Sequence, residues 1–148
     1  MRFATEQDIP RLIAFLGQAR VGAENIAPVL GQFLIYEDEQ GEIQATIGYE
    51  RSQTDALLRS LVLRPAVNPM HILALLQTLL QSLQQKGMTS VYMIAKRKSD
   101  LPLFHMFGFQ HVEKVPEHIT EMEHFKKNVD KDSIILNCQL FTMLSTVL

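Results

Sequence analysis

The sequence of 148 residues predicts an α/β fold built on one mixed β-sheet. Residues 56–63 (ALLRSLVL) and 90–96 (SVYMIAK) are apolar stretches typical of buried strands, and a long amphipathic pattern separates them. Two strands joined through such a helix are parallel neighbours with a right-handed connection. Upstream, Phe33–Glu37 and residues 43–50 flank a polar turn and predict an antiparallel hairpin. The sheet therefore begins antiparallel and contains a parallel pair.

The long helix has clear start and stop signals. Asn68 is a favoured N-cap residue, and Pro69 suits the first helical position. Leucine and isoleucine recur at helical spacing from Ile72 to Leu83, while glutamines fill the opposite face. Gly87 predicts the end of the helix. Free backbone amides at a helix start bind anions, which makes the turn before this helix a candidate anion site.

The remaining elements can be placed in order along the chain. A strand at residues 2–5 leads into a helix that extends through Phe15, and a short helix interrupted by Pro28 is predicted within residues 22–31. Downstream we predict a short helix from Asp100 to Gly108, a strand at 109–115, a helix from Pro116 through Phe125, and a strand at 133–140. The sequence contains no repeat or linker, so a single domain spanning residues 1–148 is expected.

Composition restricts the possible functions. A net charge of −2 argues against general nucleic-acid binding, and no apolar run reaches the roughly 20 residues of a membrane span. A single cysteine, Cys138, fits a reducing compartment, and the N-terminus has no hydrophobic signal segment. A cytoplasmic protein is therefore expected. The apolar tail, residues 141–148 (FTMLSTVL), needs a surface to cover it, either in its own domain or in a homodimer partner.

Several motifs resemble the GCN5-related N-acetyltransferase (GNAT) family. RFATEQDIPRLIAFL resembles the opening strand and helix of that family, SLVLRP its L-A-V-x-P strand end, and LFHMFGF its FYxxxGF segment. More narrowly, IGYE with ALLRSLVL, and FGFQHVEKVPEHI with SIILNCQL, are similar to small-molecule acetyltransferases associated with arsenic resistance and with glutamate acetylation. The resemblance covers nearly the whole chain and implies the GNAT-like acyl-CoA N-acyltransferase fold.

The resemblance also implies a reaction. In this family acetyl-CoA lies between the strands that correspond to residues 56–63 and 90–96, and a small-molecule amine attacks its thioester directly. The pantetheine arm would pair with backbone groups of the strand end, and the pyrophosphate would rest on the start of the long helix. The residues that the resemblance assigns to the acetyl-CoA site are Leu61, Val62, Leu63, Asn68, Met70, His71 and Ile72.

The sequence departs from the family pattern at two places. The phosphate signature R/Q-x-x-G-x-G/A falls on Asn68, His71 and Leu73, none of which matches it. The tyrosine that protonates the leaving thiolate in some members falls on Phe104, which carries no proton to give. These departures favour an alternative prediction, a degenerate and non-catalytic GNAT-like binding or interaction module.

Two charged residues are candidates for the acceptor side. Glu50 is predicted at the exit of its strand, where the resembling acetyltransferases also carry a glutamate, and a carboxylate there can take a proton from a substrate ammonium. The alternative for Glu50 is a solvated strand end. Arg59 interrupts an apolar strand and needs a carboxylate partner, which is either Glu50 or the carboxylate of a substrate.

The other polar clusters carry weaker signals. Lys96, Arg97 and Lys98 form a basic run that is either a solvated loop or a contact for the phosphates of acetyl-CoA. Residues 117–124 contain two histidines and three glutamates, but they do not follow the H-E-x-x-H metal pattern, so no metal site is predicted. Cys138 lies in an apolar strand and behaves as a small hydrophobic residue.

Overall fold

The computed structural model describes residues 1–19 and 32–140. The strands are β1 (Arg2–Phe3), β2 (Phe33–Glu37), β3 (Ile43–Ser52), β4 (Asp55–Leu63), β5 (Ser90–Ala95), β6 (Gln110–His111) and β7 (Ile134–Gln139). The α-helices are α1 (Ile9–Gln18), α2 (Pro69–Gln85), α3 (Leu101–Met106), α4 (Glu117–Thr120) and α5 (Glu123–Asn128), with 3-10 turns at Glu6–Asp8 and Lys98–Asp100. The strands pair in the order β1-β2-β3-β4-β5-β7-β6, which confirms the predicted mixed α/β sheet.

The described chain divides into two compact units. One comprises Met1–Glu50 and Arg59–Leu79, and the other comprises Arg51–Leu58 and the described residues from Leu80 onward. We call them the N-terminal and the C-terminal unit. The short helix predicted within residues 22–31 and the tail at 141–148 lie outside the described residues.

The N-terminal unit has a core between α1 and strands β2 to β4. Its buried members come from the inward face of the amphipathic helix and from the strand residues opposite it: Ala4, Leu12, Phe15, Leu16, Phe33, Ile35, Ile43 and Val62. Strands β1 and β2 pair antiparallel, as do β2 and β3. The predicted hairpin is therefore confirmed.

Two backbone features of this unit shape the candidate site. Phe33 lies directly opposite Gly48 in the β2–β3 pair, and a Cβ on Gly48 would approach three carbons of the Phe33 ring at 2.8–2.9 Å. Glycine is therefore required there by close packing. Ser60, in the middle of β4, has a φ of 57°, which is rare for a residue with a side chain and makes the strand irregular at this point.

The C-terminal unit is built on β5. The start of β4 pairs with it in parallel, with Asp55 opposite Ser90, and β7 pairs with its other edge antiparallel over six residue pairs. The parallel pairing of β4 with β5 confirms the prediction for two strands joined by a crossover helix. The core of this unit contains Leu57, Tyr92, Ile119 and Phe125.

Helix α2 ends as its sequence predicts. Gly87 has a φ of 83°, its amide donates to the Gln84 carbonyl at 3.0 Å, and the Met88 amide donates to the Leu83 carbonyl at 3.0 Å. This pair of bonds satisfies carbonyls that the end of a helix leaves free. Glycine adopts the left-handed conformation without a steric cost.

Three element boundaries were predicted wrongly. The strand expected at 109–115 is limited to Gln110–His111, because Glu113 and Lys114 are both exposed and break the alternation that pairing needs. The helix expected from Pro116 through Phe125 is split into α4 and α5 by Met122, whose backbone is extended. Glu50 does not end its strand, since β3 continues to Ser52.

Candidate active site

Glu50 and Arg59 form an ion pair in the N-terminal unit. Arg59 Nη1 donates to Glu50 Oε2 at 2.9 Å, so Glu50 is the one of the two carboxylates considered for Arg59 that the structure shows in contact with it. The arginine side chain is 5% exposed, whereas the glutamate side chain is 24% exposed. The positive charge is therefore buried, and the carboxylate lies at the boundary with solvent.

The Arg59 guanidinium also contacts Phe33 and Ser60. Its central carbon lies 5.5 Å from the centre of the Phe33 ring, a cation–π distance, and Nε donates to Ser60 Oγ at 3.2 Å. A buried arginine is costly unless its charge is paired and its donors are satisfied. The contacts with Glu50, Ser60 and the aromatic face contribute to that compensation.

The start of α2 is capped by its own chain. Asn68 Oδ1 accepts from the Met70 amide at 2.9 Å, and the Asn68 carbonyl accepts from the His71 amide at 2.9 Å. Pro69 has no amide proton to offer. The amides of Met70 and His71, both predicted to face a phosphate, therefore already have partners, and an anion would have to displace or share these bonds.

His71 contacts a tyrosine from the neighbouring hairpin. The two ring centres lie 4.5 Å apart, and Tyr36 Oη lies 3.4 Å from His71 Nε2. His71 is half-buried at the first turn of α2. Tyr36 was not selected from the sequence, because in FLIYE it reads as one more strand residue. The contact between β2 and the start of α2 depends on tertiary packing, which no local pattern in the sequence indicates.

The remaining predicted cofactor residues lie on β4 and α2. Val62 is buried in the core of the N-terminal unit, while Leu61 and Leu63, its neighbours in the strand, are half-buried. Successive strand residues point to opposite faces, so Leu61 and Leu63 share the face away from α1. Ile72 is half-buried in α2, and Met70 is exposed.

In the C-terminal unit, Phe104 takes a structural position. Its side chain is buried and meets Phe109 edge-on, with ring centres 6.1 Å apart. The basic run Lys96, Arg97 and Lys98 is exposed, and Arg97 pairs with Asp100 at 3.1 Å. Burial raises the pKa of the Cys138 thiol to about 11, which fits its predicted role as a small core residue.

One pair in this unit was not singled out from the sequence. His118 Nε2 lies 2.7 Å from Asp55 Oδ2, so the first turn of α4 contacts the start of β4. Within residues 1–19 and 32–140, no group of histidine, cysteine, aspartate or glutamate side chains is arranged to hold a metal ion. No helix in the described part of the chain is long and apolar enough to cross a membrane.

Sequence comparison identifies a bacterial relative. No family model matches the chain. The uncharacterized protein YwlB of Bacillus subtilis is 31% identical over 137 residues, which cover 92% of this chain and 93% of that protein.

Comparison with solved structures identifies the fold. N-acetylglutamate synthase from Neisseria gonorrhoeae, solved with coenzyme A and N-acetylglutamate, matches 94% of the chain with a TM-score of 0.75 at 20% identity. The match spans 34% of that larger enzyme. A Mycobacterium tuberculosis protein in complex with CoA matches 93% of this chain and 97% of its own, with a TM-score of 0.73 at 14% identity. A GNAT-family acetyltransferase from Staphylococcus aureus matches 92% of this chain and 95% of its own, with a TM-score of 0.69 at 16% identity.

Proposed function

Because the chain belongs to the family of Bacillus subtilis YwlB and has the fold of the GNAT acetyltransferases, we propose that it transfers an acetyl group from acetyl-CoA to the amine of a small molecule. The observation that carries this proposal is the fold, which extends over more than nine-tenths of the chain in structures solved with CoA. Fold alone does not fix an activity, so the residues of the N-terminal unit must account for the reaction.

On the donor side, we propose that the backbone of Leu61 and Leu63 pairs with the pantetheine arm of acetyl-CoA. These residues follow the irregular backbone at Ser60, and their side chains share one face of β4. The start of α2, with Asn68, Met70, His71 and Ile72, would receive the pyrophosphate, which the positive end of the helix dipole attracts. The His71 imidazole and the Tyr36 hydroxyl lie near this turn. They can donate hydrogen bonds to a phosphate in place of the glycine-containing turn that this sequence lacks.

On the acceptor side, Glu50 is the proposed base. Its carboxylate is accessible to solvent and held by Arg59, so it can accept a proton from a substrate ammonium directly or through water. The free amine then attacks the thioester carbonyl carbon, and the carbon–sulfur bond breaks to release CoA as a thiolate. A thiol with an ordinary pKa of about 8.5 is a workable leaving group without a protein acid. Phe104 is therefore compatible with turnover.

For the substrate we propose an amino acid or a related amine metabolite. The N-acetylglutamate synthase neighbour was solved with an acetylated amino acid, and the sequence motifs resemble enzymes that act on small amines.

We also propose that the chain acts as one domain in the cytoplasm. A homodimer formed through residues 141–148 remains a proposal as well.

A second candidate function is a GNAT-like module that no longer transfers acetyl groups. The observation that favours it is the capped start of α2, where Asn68 already engages the amides of Met70 and His71. A module of this kind would retain the fold and bind another partner with it.

Calorimetric titration with acetyl-CoA and with CoA separates the two functions. Micromolar binding supports the enzyme, and thiol release should then be measured against a panel of amino acids and amines. The absence of heat and of a thermal shift at millimolar ligand would leave the non-catalytic module as the better account.

A further inference from the structure

The contacts around Arg59 suggest a role beyond charge neutralisation. We propose that Arg59 is a positioning residue that fixes the Glu50 carboxylate, and that Phe33 and Gly48 fix Arg59 in turn. This inference rests on the proposed role of Glu50 as the base. It assigns Arg59 to the protein's own carboxylate, where the sequence had left open a contact with the carboxylate of a substrate.

The Phe33 ring is held by the backbone of β3. Phe33 is fully buried and lies opposite Gly48, where there is no space for a Cβ beside the ring. The ring therefore packs directly on the β3 backbone. Any side chain at position 48 would push the ring from this seat, because carbon atoms cannot approach as closely as 2.8 Å without a shift.

The Arg59 guanidinium is held by Phe33 and Ser60. Arg59 lies 5.5 Å from the Phe33 ring centre and donates through Nε to Ser60 Oγ at 3.2 Å. The next residue, Ser60, has a left-handed backbone, so the strand is irregular directly beside Arg59. A planar cation held on one face by a ring and at one edge by a hydroxyl has few other orientations.

Arg59 in turn holds the Glu50 carboxylate. Arg59 Nη1 holds Glu50 Oε2 at 2.9 Å, while the Glu50 side chain remains 24% exposed. A carboxylate at a solvent boundary would otherwise sample several rotamers. When a buried cation fixes the carboxylate, reaching the reactive geometry costs less conformational entropy. The activation free energy is then lower, which is how a positioning residue raises a rate.

The decisive experiment is a double-mutant cycle on the full-length protein, with Arg59→Met, Glu50→Gln and the double variant. We expect Arg59→Met to lower kcat by about 10- to 100-fold, because a misplaced group at a reacting centre costs that much, while KM for acetyl-CoA stays unchanged. The double variant should be no slower than Glu50→Gln within about 3-fold, since residues that act as a unit are strongly non-additive. Arg59→Lys should recover part of the loss.

A matched control and a milder variant complete the design. Arg64 also stacks on a phenylalanine, 5.2 Å from the ring of Phe15, and Arg64→Met should leave kcat unchanged. Gly48→Ala should lower kcat several-fold in the same direction as Arg59→Met, because it displaces the ring that seats Arg59. If Arg59→Met does not fold, Arg59→Lys and Gly48→Ala carry the same test against Glu50→Gln.

Two kinetic results would overturn the inference. Fully additive losses in the double variant would mean that Arg59 acts independently of Glu50. A raised KM for the acceptor with an unchanged kcat would mean that Arg59 binds the substrate directly.

The outcome is separable from the proposed function. A wild-type protein without thiol release would contradict acetyl transfer. The crystal structure of Arg59→Met would still show whether the Glu50 carboxylate leaves the position it occupies in the wild type, and an unmoved carboxylate would refute the positioning role.

Discussion

Two carboxylates of the N-terminal unit, Asp8 and Glu50, are each held by arginine, and they differ in what surrounds them. Asp8 accepts from both Nη atoms of Arg2 at 2.8 Å, from Arg11 at 2.9 Å, and from the amide and hydroxyl of Thr5. Its side chain is 4% exposed. Glu50 is held by Arg59 from inside the unit and keeps 24% of its side chain in contact with solvent.

The comparison separates a structural carboxylate from an available one. Hydrogen bonds from Arg2, followed by those from Thr5 and Arg11, hold the pKa of Asp8 far below its usual range, against the opposing effect of burial. An oxygen with that many donors has little capacity to take a proton. Glu50 keeps an accessible surface, which its proposed role as a base requires. Pairing with arginine therefore does not by itself identify an active site, and exposure alone does not either, since Glu37 is 22% exposed and is paired with Arg2 and Arg11.

The largest expected effect is on stability. Asp8→Asn should lower the free energy of unfolding by about 3 kcal/mol, because a neutral amide cannot accept all the hydrogen bonds that Arg2, Arg11 and Thr5 donate to the buried carboxylate. Denaturant unfolding measures the change. Asp100→Asn, which breaks the exposed pair with Arg97, is the control and should cost less than about 1 kcal/mol. Equal losses in the two variants would remove the distinction between buried and exposed pairs.

The same network predicts how stability depends on pH. The folded-state pKa of Asp8 lies below its unfolded value, and that of Glu37 is also lowered, mainly by Arg11. Their stabilisation is therefore fully present above the unfolded pKa of about 4 and is lost as the pH falls toward the folded values. Unfolding midpoints measured from pH 6 to pH 2.5 should fall steeply in the wild type and less steeply in Asp8→Asn. If the two curves were parallel, carboxylates other than Asp8 would dominate the loss of stability at low pH.

A smaller effect is expected at the start of α2. If His71 contacts a phosphate of CoA, His71→Ala should weaken CoA binding about 10-fold, the loss of one charge-assisted hydrogen bond. The affinity for S-acetylpantetheine, which lacks the pyrophosphate, should not change. Calorimetry with both ligands gives the two numbers. An unchanged affinity for CoA would make His71 a partner of Tyr36 and nothing more.

Much of the fold follows from local signals in the sequence. The amphipathic pattern of α2, its Asn68 cap and its Gly87 stop fix both ends of the helix, and the crossover rule then orients β4 and β5. The split between α4 and α5 was not predicted. Thr120 Oγ1 bonds the Glu117 carbonyl at 3.2 Å, a local alternative to continued helix that composition does not reveal.

The candidate site was only partly predictable. A buried charge needs a partner, so the sequence indicated a carboxylate for Arg59, but it left open whether Glu50 or a substrate supplies it. The seat of the Phe33 ring on Gly48 depends on the β2–β3 register, which a hydrophobic pattern does not specify to the residue. The use of the Met70 amide by Asn68 required the geometry of the cap.

The most direct test of the account is the acetyl-CoA-dependent rate of Glu50→Gln beside that of the wild type. With an amine that the wild type acetylates, we expect kcat to fall about 100-fold, the usual contribution of a general base, while CoA affinity stays at the wild-type value. The unfolding free energy should fall, because the buried Arg59 loses its anion, so both rates are measured at a temperature where both proteins are folded. Such a result would place the proton transfer at the exposed carboxylate. A variant as fast as the wild type would contradict the account, because the solvent-facing member of the Arg59 pair would then have no part in the reaction.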